Sequence, residues 1–180
     1  LEKFMQIDAS TRRNLELTQT LSGSKKGSLL DVIDRTVTGP GARLLEKRLS
    51  GPSTCLNIIN PRLDAIESYT SNNALRLEIQ NTLRQTSDIE RAFSRLSLDR
   101  GGPRDFIAIR NSLRKGQELS LGIIDINSDL INNAKENLTG NGEIINLLDD
   151  VFGDDAPLLA RDGGFVRSGF NKDLDEIKKL

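Results

Sequence analysis

Apolar residues recur at helical spacing along most of this 180-residue chain. In the clearest case the members are three or four positions apart and therefore share one face of an α-helix: Leu56, Ile59, Leu63 and Ile66. Aromatic residues make up only 4% of the chain and Trp is absent, so a core must be built mainly from Leu and Ile. The sequence therefore predicts an all-α fold, an irregular helical bundle.

Capping residues and apolar spacing predict where the helices begin and end. Asp8 is expected to accept hydrogen bonds from the free N–H groups of a first helix, and Gly39-Pro40 and Gly102-Pro103 mark two further helix starts. Ser87 and Glu90 are expected to form a capping box. The predicted helices cover residues 9–17, 29–34, 39–50, 54–69, 75–83, 88–96, 103–113, 129–138, 143–151 and 171–180.

Three helical faces are expected to be buried. The first is the set around Leu63, where an introduced Asp would then be severely destabilising. The other two are the apolar positions of later helices: Ile89, Ala92, Phe93 and Leu96, followed by Phe106, Ile109 and Leu113. Strand is expected only over residues 4–7 and over residues 158–167, where Asp162-Gly163-Gly164 suggests the turn of a small hairpin.

Composition removes several classes of function. The chain has no His, which excludes the commonest general base and the nucleophile pairs that depend on it. Cys55 is the single cysteine, so an internal disulfide and a thiolate metal cluster are excluded and a reducing cytoplasm is the expected location. No run reaches the ~18 apolar residues of a membrane-spanning helix. We expect neither a catalytic site nor a membrane association in this chain.

Four motifs resemble ligand sites without meeting their requirements. Residues 22–28 have the composition of a phosphate-binding P-loop but not its order, and residues 39–44 lack the last glycine of a dinucleotide fingerprint. A calcium-loop frame has Leu130 where the turn needs Gly; its oxygen-bearing positions are Asp125, Asn127, Asp129 and Glu136. Two adjacent acidic pairs, residues 149–150 and 154–155, are interpreted as solvated surface rather than as an acid–base or magnesium site.

Several strings resemble the MutS family of DNA mismatch-repair proteins, in the same order and at similar spacing. They are residues 7–17 (IDASTRRNLEL), 30–45 (LDVIDRTVTGPGARLL), 62–67 (RLDAIE), 88–96 (DIERAFSRL), 103–106 (PRDF), 161–170 (RDGGFVRSGF) and 174–176 (LDE). Together they extend over nearly the whole chain. The resemblance is to the core region of that family, with residues 1–170 as the core domain and residues 171–180 as the start of a lever helix that leads to a clamp domain.

The resemblance implies a structural role in a longer protein. In the full-length family an N-terminal domain reads the mismatch, a clamp grips the duplex and an ATPase domain supplies the switch, with ATP and magnesium as its cofactors. The core and lever would connect these parts. The implied partners are double-stranded mismatched DNA, the neighbouring connector, clamp and ATPase domains, and a second copy in a homodimer. None of the family's mismatch-reading or ATP-binding motifs lies in these 180 residues.

Some polar positions match the family strings and are carried over only as structural candidates. We interpret them as helix caps and buried ion pairs: Asp8, Asn14, Glu16, Asp88, Glu90, Arg91, Arg104 and Asp105. Composition and periodicity alone fit a second class equally well, an all-α protein-interaction or adaptor domain unrelated to DNA. The ordered strings favour the mismatch-repair interpretation.

Overall fold

The computed structural model describes residues 3–123 and 128–178, and its regular elements are helical. The elements are α1 (Ala9–Asn14), α2 (Leu29–Ile33), α3 (Gly39–Ser50), α4 (Leu56–Ser71), α5 (Asn73–Leu83), α6 (Ile89–Ser97), α7 (Pro103–Gly122), α8 (Asp129–Asn137), α9 (Gly142–Val151), a 3-10 turn (Ala160–Asp162) and α10 (Lys172–Ile177). Among the described residues β-pairing is limited to two isolated bridges, Phe4 with Ser53 and Phe152 with Val166. The predicted all-α class is confirmed.

The helix starts follow the predicted capping chemistry. Asp8 accepts a hydrogen bond from the Thr11 N–H at 2.9 Å, and Asn171 caps α10 in the same way through the Leu174 N–H. The first helix is shorter than expected, because its chain leaves the helical path at Leu15 and Glu16 has a positive φ of 49°. Capping thus set the beginnings of these helices more firmly than their ends.

The chain divides into two compact units, Leu1–Arg84 with Asp125–Asn133, and Gln85–Ile124 with Ala134–Leu180. In the first unit α4 packs against α5, and backbone hydrogen bonds join the entry segment to the start of α4, with the Thr54 N–H donating to the Lys3 carbonyl at 2.8 Å. Its buried apolar side chains include Leu30, Ala65 and Leu75. The predicted strand at residues 4–7 is reduced to the bridge at Phe4.

The second unit is built around α7, which packs against α6 and α9. Its buried apolar side chains are Ala92, Leu119, Ile123, Ile145, Leu148, Phe152 and Ala156. The prediction of a hairpin over residues 158–167 is wrong. Residues 160–162 form the 3-10 turn, and Val166 forms an antiparallel bridge with Phe152 instead of pairing within the segment. The backbone of this segment therefore satisfies its hydrogen bonds against the end of α9.

The prediction of a buried face on α4 is wrong for three of its four residues, and the fourth, Ile59, is half-buried. Leu56, Leu63 and Ile66 are 67%, 56% and 58% exposed. The helix instead buries Ala65, on a face where Ile58 and Tyr69 are half-buried. Both faces have helical spacing, and a small residue such as Ala65 lets a neighbouring backbone approach closely. Burial raises the pKa of the Tyr69 hydroxyl, as expected for a phenol partly removed from water.

Two details of α6 also differ from expectation. Its N-cap is Asp88, which accepts from the Arg91 N–H at 3.2 Å, so the cap lies one residue after the predicted Ser87. The Ser87 N–H donates instead to the Ser112 hydroxyl on α7. Ala92 is buried as predicted, but Phe93 is 65% exposed. Ile89 and Leu96, the other two residues of the predicted face, are half-buried.

Candidate functional site around Arg110

Helix α7 is the longest described element and is fixed at its beginning. Its twenty residues extend over about 30 Å. Pro103 occupies the first turn, where its missing N–H is not needed, and the Asp105 carboxylate accepts from the Gly102 N–H at 3.0 Å. A carboxylate at this position also interacts favourably with the helix dipole. The sequence Gly102-Pro103-Arg104-Asp105 therefore determines where α7 starts.

Arg110 lies in the middle of α7 and is 1% exposed. Its guanidinium donates to the Phe152 carbonyl at 3.2 Å and to the Asp154 carboxylate at 2.6 Å, and lies 3.3 Å from the Asp149 carboxylate. The planar guanidinium offers five donors in a fixed fork, which suits several acceptors at once. This one side chain therefore links α7 to the last turn of α9 and to the loop that follows it.

The two carboxylates around Arg110 differ in their surroundings. Asp149 is shared, because it also forms an ion pair with Arg114 one turn further along α7. Asp154 is 80% exposed, and the Arg110 guanidinium holds the pKa of its carboxyl below the usual range. The acidic residues that the sequence suggested were solvated surface are thus in part ligands of a buried arginine. Their negative charge compensates the burial of the guanidinium.

Aromatic side chains continue the same contact. The rings of Phe106 and Phe152 are stacked with centroids 5.0 Å apart, and Phe152 is stacked on Phe165 at 6.2 Å. The Arg167 side chain donates to the Phe152 carbonyl at 3.0 Å, so that carbonyl accepts from two arginines. Residue 152 is therefore held through its ring and its carbonyl, which ties the segment after α9 to α7.

Another side of α7 is joined to α6 by polar contacts on either side of Arg110 in the sequence. The Arg95 guanidinium donates to the Asp105 carboxylate at 3.0 Å, and this contact lowers the pKa of the Asp105 carboxyl. The buried Ser112 hydroxyl accepts from the Ser87 N–H at 2.8 Å. Hydrogen bonds of this kind have strict geometry and so fix the relative position of the two helices. Helix α7 is thus fastened on two sides by polar contacts in addition to its apolar packing.

Three of the candidate residues from the family strings lie in the first unit. Asp8 caps α1, and hydrogen bonds from the Ser10 and Thr11 hydroxyls lower the pKa of its carboxyl. Asn14 is the exposed last residue of α1. The Glu16 carboxylate accepts from the Leu21 N–H at 2.6 Å, at the start of the loop that the sequence predicted over residues 22–28. These contacts shape local turns.

The other five candidates lie at the α6–α7 end of the second unit. Asp88 caps α6 and is 3.6 Å from the exposed Arg91 guanidinium, while Glu90 is exposed in the first turn of α6. Arg104 donates through Nε to the Ala156 carbonyl at 3.0 Å, and Asp105 caps α7. The structure brings these residues together with Arg95, which the sequence analysis did not select.

Arg110 was missed by sequence reasoning although one signal was present. It lies four residues after Phe106 and three before Leu113, on the face predicted to be buried. A charged residue at such a position requires a partner in the fold. The partners are 39 and 44 residues away along the chain, at Asp149 and Asp154, and spacing alone does not identify them.

The motifs that resemble ligand sites in the sequence belong to different elements of the described structure. Residues 22–28 precede the short α2, and the Gly27 N–H donates to the Asp31 carboxylate of that helix. In the calcium-loop frame Asp125 and Asn127 lie outside the described residues, and Asp129 and Glu136 belong to α8. Among residues 3–123 and 128–178 there is no group of three His, Cys, Asp or Glu that could hold a metal ion.

These helices define an all-α fold, and in the second unit polar contacts along α7 join it to α6 and α9. The family model for MutS domain III matches residues 10–179, and the chain therefore belongs to the MutS domain III family.

Curated relatives agree along the whole chain. A DNA mismatch repair protein MutS from Ruegeria sp. (strain TM1040) is 49% identical over 180 residues, covering 99% of this chain. The proteins of that name from Cereibacter sphaeroides (strain ATCC 17023) and Paracoccus denitrificans (strain Pd 1222) are 50% and 48% identical over 176 residues, covering 98% of the chain. The chain spans about 20% of the length of each of these relatives.

The described helices differ in length and in apolar content. None of them is both long enough and apolar enough to span a membrane.

Proposed function

We propose that this domain couples the DNA-contacting parts of a mismatch-repair protein to its ATP-binding part. The proposal combines family membership with one structural observation, the braced helix α7. A helix held on both sides transmits displacement as a rigid body, whereas a loosely packed helix absorbs it. The domain itself performs no catalysis in this proposal, and ATP and magnesium act elsewhere in the parent protein.

The proposed partners follow from what the relatives are called and from the family resemblance. Mismatched double-stranded DNA is contacted by other parts of the parent protein, and the connector, clamp and ATPase domains adjoin this one. The parent protein is proposed to act as a homodimer in the cytoplasm. Because the relatives at 48–50% identity are named as DNA mismatch repair proteins, we prefer this function to an adaptor domain unrelated to DNA.

Arg110 provides the test, because it is buried where α7 contacts α9 and the family's ATP-binding motifs are not found in these 180 residues. In the full-length parent protein, Arg110→Met is expected to leave mismatch affinity without nucleotide, and ATP hydrolysis without DNA, within about twofold of the parent values. ATP-triggered release of the mismatched duplex is expected to slow by about 2- to 30-fold, the range for residues that modulate coupling by about 0.5–2 kcal/mol. Stopped-flow fluorescence of a labelled duplex measures this release.

The matched control is Arg161→Met. The Arg161 side chain is 82% exposed, and its ion pair with Asp162 is long at 4.0 Å. It removes the same charge without removing a buried contact. The proposal is contradicted if Arg110→Met leaves the release rate unchanged, or if both variants slow it equally. Equal loss of DNA binding and ATP hydrolysis in Arg110→Met would indicate a folding role instead of coupling.

A further inference from the structure

A groove in the second unit is lined by arginines from three successive segments. It has a volume of about 560 Å³ and lies between α6, the loop that follows it, the start of α7 and the segment at Leu158–Leu159. Its basic lining residues are Arg91, Arg95, Arg100 and Arg104. Asp88 and Asp105 supply its negative charges. The groove therefore carries an excess of two positive charges.

The two aspartates are already engaged in local structure. Asp88 caps α6 through the Arg91 N–H, and Asp105 caps α7 through the Gly102 N–H while it pairs with Arg95. They are therefore held to the protein rather than presented to a ligand. A carboxylate that accepts several hydrogen bonds leaves few lone pairs for another donor.

Two of the arginines retain free donor capacity. The Arg104 guanidinium uses Nε for the Ala156 carbonyl and has no carboxylate within 4.0 Å among the described residues. Within the same described ranges, the exposed Arg100 guanidinium forms neither a hydrogen bond nor an ion pair. Free guanidinium groups at one groove are the donors that planar carboxylates and phosphates match.

The charge of the groove contrasts with that of the unit around it. Counted from the sequence, residues 85–124 and 134–180 contain thirteen basic and fifteen acidic side chains. Four of the thirteen basic residues line this one groove. Clustering of one sign on a surface of the opposite net sign attracts and orients a complementary ligand.

The floor of the groove is apolar and partly open to solvent. Ala92 and Ala108 contribute to it, and Leu158 and Leu159 are 62% and 42% exposed. Gly102 allows the start of α7 to lie close to the backbone of Leu158, because a Cβ at position 102 would collide with the carbonyl oxygen of Leu158. The groove thus offers an apolar surface between arginine side chains.

This combination selects among anionic ligands. Single-stranded nucleic acid is bound largely by stacking on aromatic rings, and none of the described residues that line the groove is aromatic. Duplex phosphates are contacted by projecting basic side chains and gain nothing from a leucine floor. An acidic peptide that also carries an apolar side chain matches both features, because it offers carboxylates to the guanidiniums and an anchor to the leucines.

We infer that this groove docks a short acidic, apolar-anchored segment of a partner protein. The carboxylates of that segment pair with Arg100 and Arg104, and its apolar side chain covers Leu158 and Leu159. This inference is independent of the coupling proposed above. Of the four arginines in the groove, the family resemblance identified Arg91 and Arg104 as structural residues and did not identify Arg95 or Arg100. The inference gives these residues a role in recognition.

Fluorescence anisotropy with the full-length parent protein tests the inference. The probe is a fluorescein-labelled nine-residue peptide with two glutamates on each side of a leucine pair. We expect saturable binding that weakens about tenfold or more when glutamine replaces glutamate, or when serine replaces leucine. Binding to the double variant Arg100→Glu with Arg104→Glu is expected to fall by a similar factor.

Charge reversal separates recognition from misfolding. The same double variant is expected to bind a peptide with lysine in place of glutamate more tightly than the parent protein does, which a merely unfolded groove would not do. Arg161→Glu, at an exposed position of the same unit, is the matched control and is expected to retain parental affinity.

Several outcomes would overturn the inference. These are affinity for the glutamine peptide equal to that for the glutamate peptide, absence of rescue by the lysine peptide, and no binding to the full-length protein because its own chain fills the groove. A twelve-nucleotide single strand that displaces the peptide at a lower concentration than unlabelled peptide would also overturn it. In that case the arginines would be assigned to phosphate.

Discussion

Single side chains connect distant parts of the second unit. Arg110 on α7 reaches the Phe152 carbonyl, Asp149 and Asp154, while Arg95 on α6 reaches Asp105. Arginine suits these positions because its guanidinium stays charged and donates in several directions. The local capping residue Asp8 could be predicted from the sequence, because a cap acts within three residues of itself. The long-range pairs could not.

Arg110→Met is expected to lower the free energy of unfolding of the 180-residue chain by about 1–3 kcal/mol, since it removes donors from a buried carbonyl and from two carboxylates. The cost remains moderate because Asp154 is exposed and can be hydrated. Urea denaturation followed by circular dichroism measures it. Arg161→Met, which changes an exposed side chain, is expected to stay within about 0.5 kcal/mol. Equal stabilities of the two variants would contradict the assigned role of Arg110.

Acid is expected to weaken the second unit through its paired carboxylates. The pKa values of Asp105 and Asp154 are lowered from 3.8 by Arg95 and Arg110 respectively. A carboxyl group whose pKa is lower in the folded chain than in the unfolded chain stabilises the folded state. This stabilisation is complete when the pH lies above the pKa of the unfolded chain, and it is lost as the pH falls through the pKa of the folded chain. Stability contributed by these pairs should therefore be constant from neutral pH to about pH 5 and decline below about pH 4.

Asp105→Asn tests this dependence, because the amide oxygen can still accept from the Gly102 N–H while the charge is lost. The variant is expected to be less stable than the parent chain at pH 7 and to lose less stability between about pH 5 and pH 3. The midpoint of urea denaturation, measured across that pH range, shows how steeply stability depends on pH in the parent chain and in the variant. Asp162→Asn, at a half-exposed position, serves as the control. A slope for Asp105→Asn as steep as that of the parent chain would assign the acid sensitivity to other groups.

At the scale of helices, sequence periodicity predicted the elements better than their orientation. The starts of α3 and α7 were given by Gly39-Pro40 and Gly102-Pro103, whose chemistry is local. Apolar spacing shows that a helix has a face, but the choice between two such faces depends on the neighbour that packs there. In α4 the face with Ala65 is buried and the face with Leu63 is exposed. In α6 Ala92 is buried and Phe93 is exposed.

This difference gives a paired prediction for α4. Leu63→Asp is expected to change the stability of the 180-residue chain by less than about 1 kcal/mol, because Leu63 is 56% exposed and the carboxylate stays hydrated. Ala65→Asp, two residues later, is expected to cost about 3 kcal/mol or more, since Ala65 is 8% exposed and the charge would lose water. Thermal denaturation compares them. A larger loss for Leu63→Asp would mean that the Leu63 face is covered in solution.

At the scale of the whole molecule, charge is distributed unevenly along the chain. Residues 1–115 contain nineteen basic and thirteen acidic side chains, whereas residues 116–180 contain six and thirteen. The fold uses part of this asymmetry internally, because Asp149 and Asp154 pair with arginines of α7. The family and its all-α class could be predicted from ordered strings and spacing. The arginine groove could not, because its lining residues converge only once α6 and α7 pack.

The 180-residue chain alone is expected to show no preference for mismatched over matched duplex, and no ATP hydrolysis, because the motifs that the family uses for either are not among its residues. Its excess of basic side chains over residues 1–115 still permits weak contact with phosphates. Such contact releases counterions, so the affinity should fall steeply between about 50 and 200 mM salt and be alike for both duplexes. Anisotropy titrations with matched and single-mismatch duplexes at several salt concentrations measure this, with a coupled phosphate-release assay for hydrolysis. Mismatch-selective binding that persists at about 200 mM salt would place a reading site within this domain and contradict the proposal that other parts of the parent protein contact the mismatch.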